Sequence, residues 1–173
     1  MHASAYKLMF EFVSKYLSVQ GDLCVLDVGA RIVSAERKQH LRCNRILFDK
    51  QNWVYKGADI VAGKNVDIVL KAPYCWELQQ QYDVIVSASV LEHVEDMFSW
   101  VKEIKKALKP NGLCCIATVN TWREHKYPVD CWRIFPDGMN YLLHNVAKLQ
   151  VLECYKSGRD TVGIAKNTTN EPG

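Results

Sequence analysis

The chain contains no Cys-x-x-Cys pair, no Gly-x-Gly-x-x-Gly run and no internal repeat, and no apolar stretch approaches the roughly 18 residues of a membrane span. Each absence excludes a class. Without paired thiols or histidines at zinc spacing, no metal is expected. The missing glycine run argues against a nicotinamide-dependent oxidoreductase. The N-terminus lacks a charged region followed by an apolar core and a small-residue cleavage site, so a cytoplasmic protein with no membrane partner is expected. A net charge of +3 is too mild to demand nucleic acid. No basic groove interleaved with aromatics is visible either, and no DNA partner is expected.

What is present is a chain of 173 residues, 49% hydrophobic and 24% charged, enough for one buried core. It reads as a single domain over residues 1–166 with a frayed polar tail over 167–173. Seven cysteines stand at 24, 43, 75, 114, 115, 131 and 154. An odd count without a secretion signal fits a reducing compartment. Cys24, Cys114 and Cys115 fall inside apolar runs, where a thiol packs as a small hydrophobe.

The organising stretch is Val25-Leu26-Asp27-Val28-Gly29-Ala30-Arg31. A short apolar run ending in Asp-x-Gly predicts a buried parallel strand with a sharp turn at its carboxyl end. Ligands collect at such ends in open α/β sheets, near the point where strand order reverses. Before it, Tyr6, Met9, Phe10, Val13 and Leu17 at helical spacing predict a helix over Ser4–Leu17. Further strands are predicted over Trp53–Ile60, Val66–Leu70, Tyr82–Val86 and Leu113–Val119. A turn or short helix is expected around Trp76–Gln80, and helices over Met97–Leu108 and Pro136–Ala147. Pro110-Asn111-Gly112 reads as a stop and turn. Leu149–Tyr155 and Thr161–Lys166, joined by Ser157-Gly158-Arg159-Asp160, read as a closing hairpin.

The segment 31–50 has no clean period and is expected to be irregular or part helical. It holds Arg31, Arg37, Lys38, Arg42, Arg45 and Lys50 against Glu36 and Asp49. It is either a solvated basic face or an electrostatic guide for an anionic acceptor. The element order gives the fold class: α/β, a doubly wound, mostly parallel seven-stranded sheet with a C-terminal antiparallel hairpin.

Leu26-Asp27-Val28-Gly29, Tyr55-Lys56-Gly57-Ala58-Asp59-Ile60, Tyr82-Asp83-Val84-Ile85-Val86-Ser87, Val90-Leu91-Glu92-His93-Val94 and Leu108-Lys109-Pro110-Asn111-Gly112-Leu113 occur in an order and spacing that resemble the class I S-adenosylmethionine-dependent methyltransferases. The likeness covers nearly the whole chain and includes the terminal hairpin. It implies S-adenosylmethionine as cofactor, with Asp59 accepting hydrogen bonds from the ribose hydroxyls and Ile60 lying against adenine. It implies that Asp27 and Gly29 shape the loop under the methionine portion, and that Ser87 and Ala88 offer backbone groups beside the sulfonium. Two positions depart from the family pattern. Arg31 stands where glycine is usual, and Lys71-Ala72-Pro73 occupies the place of an acid near the adenine, leaving Ala72 to line it.

After the fifth strand, His125-Lys126-Tyr127-Pro128-Val129-Asp130-Cys131-Trp132-Arg133 concentrates reactive side chains at the same edge. Transfer to a hydroxyl needs a proton acceptor, and histidine is poised for that near neutral pH. His93 and His125, with Asp130, are the candidate catalytic residues; Tyr127, Trp132 and Arg133 are candidates for holding the acceptor. The other reading of the loop is structural, with an Asp130–Arg133 ion pair and with Trp132 and Phe135 filling the core. The family's base-amine enzymes carry Asn/Asp-Pro-Pro-aromatic after the fourth strand, where this chain has Ser87-Ala88-Ser89-Val90. The resemblance therefore implies methyl transfer to a small molecule, at a hydroxyl of a sugar-like compound or secondary metabolite. The alternative is a cofactor-binding module without catalysis, serving as partner or regulator. Self-association stays open.

Overall fold

The computed structural model describes residues 3–18, 21–33, 43–50 and 52–168. Seven strands form one sheet: β1 (Leu23–Val28), β2 (Trp53–Asp59), β3 (Ile68–Val69), β4 (Tyr82–Ala88), β5 (Leu108–Val119), β6 (Gln150–Ser157) and β7 (Asp160–Lys166). Their spatial order is β3-β2-β1-β4-β5-β7-β6. The first five run parallel, and β7 lies antiparallel between β5 and β6. The mostly parallel sheet with a closing hairpin is the architecture that the element order predicts.

Parallel strands must be covered on both faces, and two apolar layers do this. On one face α1 (Ala3–Phe12), extended as a π-helix over Val13–Leu17, buries Leu8, Met9 and Phe12 against Val25, Val84, Val86 and Cys115. On the other, α3 (Met97–Ala107) buries Trp100, Val101 and Ile104 against Leu26, Ile85 and Ile116. Asp96 caps α3 by accepting the Ser99 N–H at 3.0 Å, and Lys105 and Lys106 occupy its last turn, where cations oppose the negative helix end. Each fully buried aliphatic side chain contributes about 1.5–3 kcal/mol. Two short helices complete the layers: α2 (Asn44–Phe48), and α4 (Pro136–Asn140) with a π-turn over Tyr141–Val146.

The differences from expectation have local causes. Strand β3 shrinks to two residues, and 76–80 forms no helix. Strand β5 begins at Leu108, directly after α3, and Pro110-Asn111-Gly112 bulges out of it instead of preceding it. Asn167 clamps this bulge: its carbonyl accepts the Asn111 N–H at 2.6 Å, and its side-chain amide donates to the carbonyls of Leu108 and Lys109. Asn167 is therefore buried structure, and the expectation of a tail frayed from 167 onward is corrected at that residue. Phe135 is exposed and Trp132 is on the surface, so neither plugs the core; Ile134 does. The thiols of Cys114 and Cys115 are buried, and burial pushes Cys114 up to about 12 and Cys115 well above its ordinary value, so both stay protonated.

Candidate functional site

Strand order reverses between β1 and β4, which opens a crevice beyond their carboxyl ends. The two strands pair only as far as Asp27 and Val86. Past that point the Ser87 hydroxyl donates to the Val28 carbonyl at 2.9 Å and floors the crevice. Ser87 is buried, so its side chain is committed to joining the strands, while Ala88 stays half-buried at the rim.

Gly29 makes the turn at φ +81°, a conformation that L side chains rarely adopt. A Cβ there would lie 2.2 Å from Val90 Cγ2, because the turns after β1 and β4 touch. Asp27 lies beneath. Its carboxylate accepts from the Tyr55 hydroxyl at 2.6 Å and the Asn44 amide at 2.8 Å, inside the layer under α2. It shapes the loop from below and has no free face toward a ligand. Burial raises its pKa to about 6 against the lowering pull of those two donors.

Asp59 ends β2 half-buried, accepting backbone N–H groups from Arg31 at 3.3 Å and Val61 at 3.1 Å. It caps its own turn and fixes the loop after β1, and its remaining lone pairs are open to solvent. Ile60, 48% exposed, and Val61 form an uncovered apolar step beside it. Arg31 lies along Gly63, whose Cβ would come within 3.0 Å of the arginine's stem. Ala72 is half-buried in a short bridge to Cys75. In the basic segment, Arg45 is bonded to Asn65 and Asp67 and stacks on Tyr55 at 4.5 Å, so it is not available for steering. Arg37, Lys38 and Arg42 lie outside the described residues.

The second cluster comes from two loops. After β4, a 3₁₀ turn over Leu91–His93 is anchored by the buried Leu91 and brings Glu92 and His93 to the edge. The loop after β5 straps across it: the Cys131 and Trp132 N–H groups donate to the Glu92 carbonyl at 2.8 and 3.2 Å. The Glu92 side chain is 0% exposed; its Oε2 accepts the Thr118 hydroxyl at 2.6 Å, and its Oε1 has no hydrogen-bond donor. His93 Nε2 and His125 Nε2 stand 4.0 and 3.9 Å from that orphaned oxygen. The two rings meet edge to face at 4.9 Å, and Tyr127 approaches His93 in the same way at 6.1 Å.

Asp130 holds this loop together. Its carboxylate takes both arms of Arg133, at 2.6 and 2.7 Å, and the His125 backbone N–H at 2.7 Å. The guanidinium beside it holds its carboxyl well below the usual carboxylate range. Arg133 further donates to the carbonyls of Trp122, Arg123 and Trp132. Its donors are thus spent inside the loop, as in the structural reading of an Asp130–Arg133 ion pair. Asp130 lies behind His125 and orients it without reaching the cleft. Tyr127 and Trp132 remain as exposed rims; the Trp132 indole N–H donates to the Val94 carbonyl at 2.8 Å.

Sequence reasoning brought His93, His125 and Asp130 to one edge but passed over Glu92. The available signal was its place beside His93 in Leu91-Glu92-His93.

Residues 4–142 match the family described as a methyltransferase domain. The chain is 36% identical over 55 residues to the ubiquinone biosynthesis O-methyltransferase of Pelagibacter ubique, covering 32% of this chain and 23% of that protein. It is 33% identical over 70 residues to the enzyme of the same name from Bartonella bacilliformis, covering 40% and 25%. The matches thus span about a quarter of the length of those relatives. Among solved structures, the 1,6-didemethyltoxoflavin-N1-methyltransferase of Burkholderia thailandensis, with bound 1,6-didemethyltoxoflavin and S-adenosylhomocysteine, superposes with a TM-score of 0.72 at 16% identity, covering 96% of this chain and 79% of that one. A SAM-dependent methyltransferase from Aquifex aeolicus superposes at 0.64 and 16% identity, covering 91% and 89%. These superpositions show the Rossmann-like methyltransferase fold, and with residues 4–142 matched to its family the chain belongs to the methyltransferase-domain proteins.

Proposed function

We infer that the chain transfers a methyl group from S-adenosylmethionine to a hydroxyl of a small-molecule acceptor. One observation carries this reading: three acceptor atoms, Glu92 Oε1, His93 Nε2 and His125 Nε2, converge beyond the carboxyl edge of β4 and β5, the edge to which β1 and β2 bring the Gly29 turn and Asp59. The bound cofactor supplies a sulfonium methyl, which needs an aligned oxygen lone pair and little else. The residues present fit it. Asp59 keeps lone pairs for a ribose diol, and Ile60 and Val61 leave an apolar step that an adenine ring would cover. Ala72 would border the ring through backbone and methyl contacts, without an acid to meet its amino group.

The chain's own contribution is alignment and a proton acceptor. A hydroxyl donated into the cluster meets imidazole and carboxylate lone pairs, and assistance of this kind is worth about 10²–10⁴-fold in rate. Asp130 fixes the His125 ring, and Tyr127 and Trp132 border the opening where an acceptor ring would stack. The name shared by the partial relatives, O-methyltransferase, supports oxygen as the methylated atom. No helix among the described residues is long and apolar enough to cross a membrane. Our reading is of a cytoplasmic enzyme acting as one unit over residues 1–166.

The test has two stages. S-Adenosylmethionine and S-adenosylhomocysteine should give heat on titration and raise the melting temperature, while NAD should do neither. Hydroxylated aromatic and sugar-like acceptors are then screened for S-adenosylhomocysteine release. Cofactor binding without turnover of any acceptor would return the chain to a binding module. Silence with both sulfur compounds at millimolar concentration would remove the reading altogether.

A further inference from the structure

We propose that Glu92, His93 and His125 form a binding site for a divalent transition-metal ion of the zinc type, open on one side to the acceptor cleft. Its catalytic meaning rests on the methyl-transfer reading above, but its binding does not. His93 Nδ1 lies 2.6 Å from the Val129 carbonyl oxygen, which can only accept, so Nδ1 carries a proton, and the neutral tautomer fixed in this way presents its lone pair at Nε2. His125 Nδ1 lies 3.3 Å from Asp130 Oδ2 and 3.3 Å from the Arg123 carbonyl, both acceptors, so His125 also presents its lone pair at Nε2. The Nε2 atoms stand 4.0 and 3.9 Å from Glu92 Oε1, and one ligand atom from each of the three side chains lies within 4.8 Å of the others. Two imidazole lone pairs and a buried carboxylate oxygen without a donor therefore face one point.

Such an arrangement repels itself unless a proton or a cation stands among its members. Arg133 does not fill the place, because its guanidinium is spent on Asp130 and on loop carbonyls. A buried carboxylate without a positive partner is costly, and an ion at this point removes that cost. The surroundings match what metal-bound histidines require. Each ring donates its far N–H to a backbone carbonyl or a carboxylate, which fixes the tautomer and orients the ligating nitrogen. Glu92 is held in turn by the Thr118 hydroxyl on Oε2. Two histidines and one carboxylate with a vacant fourth position are a familiar donor set for zinc, and soft enough to disfavour magnesium and calcium.

The distances allow it. A tetrahedral zinc with ligands at about 2.0–2.1 Å sets its ligand atoms about 3.4 Å apart. The two Glu92–histidine separations, 3.9 and 4.0 Å, need only roughly half an ångström of closure toward that value. The histidine side chains are 13% and 19% exposed, so an ion can enter past Tyr127. With the ion bound, the histidines become ligands. An acceptor hydroxyl in the fourth position would lose its proton to water because the metal, not an imidazole, lowers its pKa. Its oxygen lone pair then forms the bond to the methyl carbon, and the carbon–sulfur pair stays on sulfur as a neutral thioether.

The experiment uses the full chain after chelator treatment, with neither cofactor nor acceptor present, titrated with Zn²⁺ and separately with Co²⁺. One ion per chain should bind. Zinc at about 100 times its Kd should raise the melting temperature by roughly 5–10 °C, and cobalt should show visible ligand-field bands. His125→Ala should weaken binding by at least about tenfold, with Glu92→Gln and His93→Ala doing the same where they fold. The double variant Cys75→Ser/Cys131→Ser, which removes the exposed thiols, should bind as the parent does. Binding that survives His125→Ala but disappears with those thiols would overturn the site. So would the absence of any binding at millimolar metal, which would leave the three acceptors to share a proton. Metal binding without methyl transfer would uphold the site and sink the enzyme reading; turnover persisting in chelator would overturn the ion's part in the reaction.

Discussion

Arg133→Ala separates an acceptor-holding arginine from one that only builds the loop. Asp130 has a side chain 1% exposed, and Arg133 one 26% exposed, joined by two bonds of 2.6 and 2.7 Å. Deleting the guanidinium leaves a buried carboxylate with the His125 backbone N–H as its remaining short donor. Breaking a buried pair in this way costs about 3–5 kcal/mol. The partial exposure of Arg133 lets water reach the gap and brings the expectation toward about 2–4 kcal/mol. For a chain of this size that is a fall in melting temperature of roughly 4–16 °C. Calorimetry on parent and variant measures it, and steady-state kinetics with a competent acceptor follows what the loop does. Since Asp130 orients His125, turnover should fall together with stability, and KM for the acceptor should change less than kcat. Asp130→Asn, which keeps the shape but loses the charge, should show a smaller loss of the same kind. An Arg133→Ala protein with unchanged melting temperature and a raised KM would refute the reasoning and restore Arg133 to the acceptor.

Asp27 supplies a pH signature. Its folded pKa of about 6 lies above the ordinary ~3.9 of an unfolded chain, so it contributes stability that is present below pH ~4 and lost as pH rises through ~6. Denaturant titrations of the parent and Asp27→Asn from pH 4 to 8 should therefore diverge in that window, by up to roughly 3 kcal/mol; parallel curves would contradict it. Gly29→Ala should cost about 2–4 kcal/mol, from the positive φ and the 2.2 Å clash with Val90. Adding Val90→Ala should restore the steric share and leave the backbone share, which a double-mutant cycle by chemical denaturation resolves. Asp59→Asn should weaken S-adenosylmethionine binding by about 1.5–3 kcal/mol, read by calorimetric titration, and full affinity in that variant would take the ribose away from Asp59.

How much of this was legible before the structure follows from how local each determinant is. Strands β1, β2, β4 and β5 are continuous apolar runs, and α1 and α3 carry apolar residues at helical spacing. Those patterns depend on neighbours a few positions away, so the sequence alone determined the α/β class, the parallel core and the closing hairpin. Gly29 and Asp59 were legible for the same reason, as turn and acid at the ends of such runs. Asn167 was misread because its role depends on a bulge in a strand far earlier in the chain, which no local pattern encodes. Arg133 was left between two roles, because an arginine in a polar loop looks the same whether it faces a ligand or a buried aspartate three residues back. Glu92 shows the limit most plainly. A glutamate in a short turn is expected at the surface, where water solvates its charge. Only the strap laid across it by Cys131 and Trp132, and the Thr118 hydroxyl beneath it, take that carboxylate out of water. The same folding of two loops onto one edge aims two imidazole lone pairs at its free oxygen. Residue types come from the sequence, but desolvation and convergence are properties of packed surfaces, and the tertiary structure alone decided them.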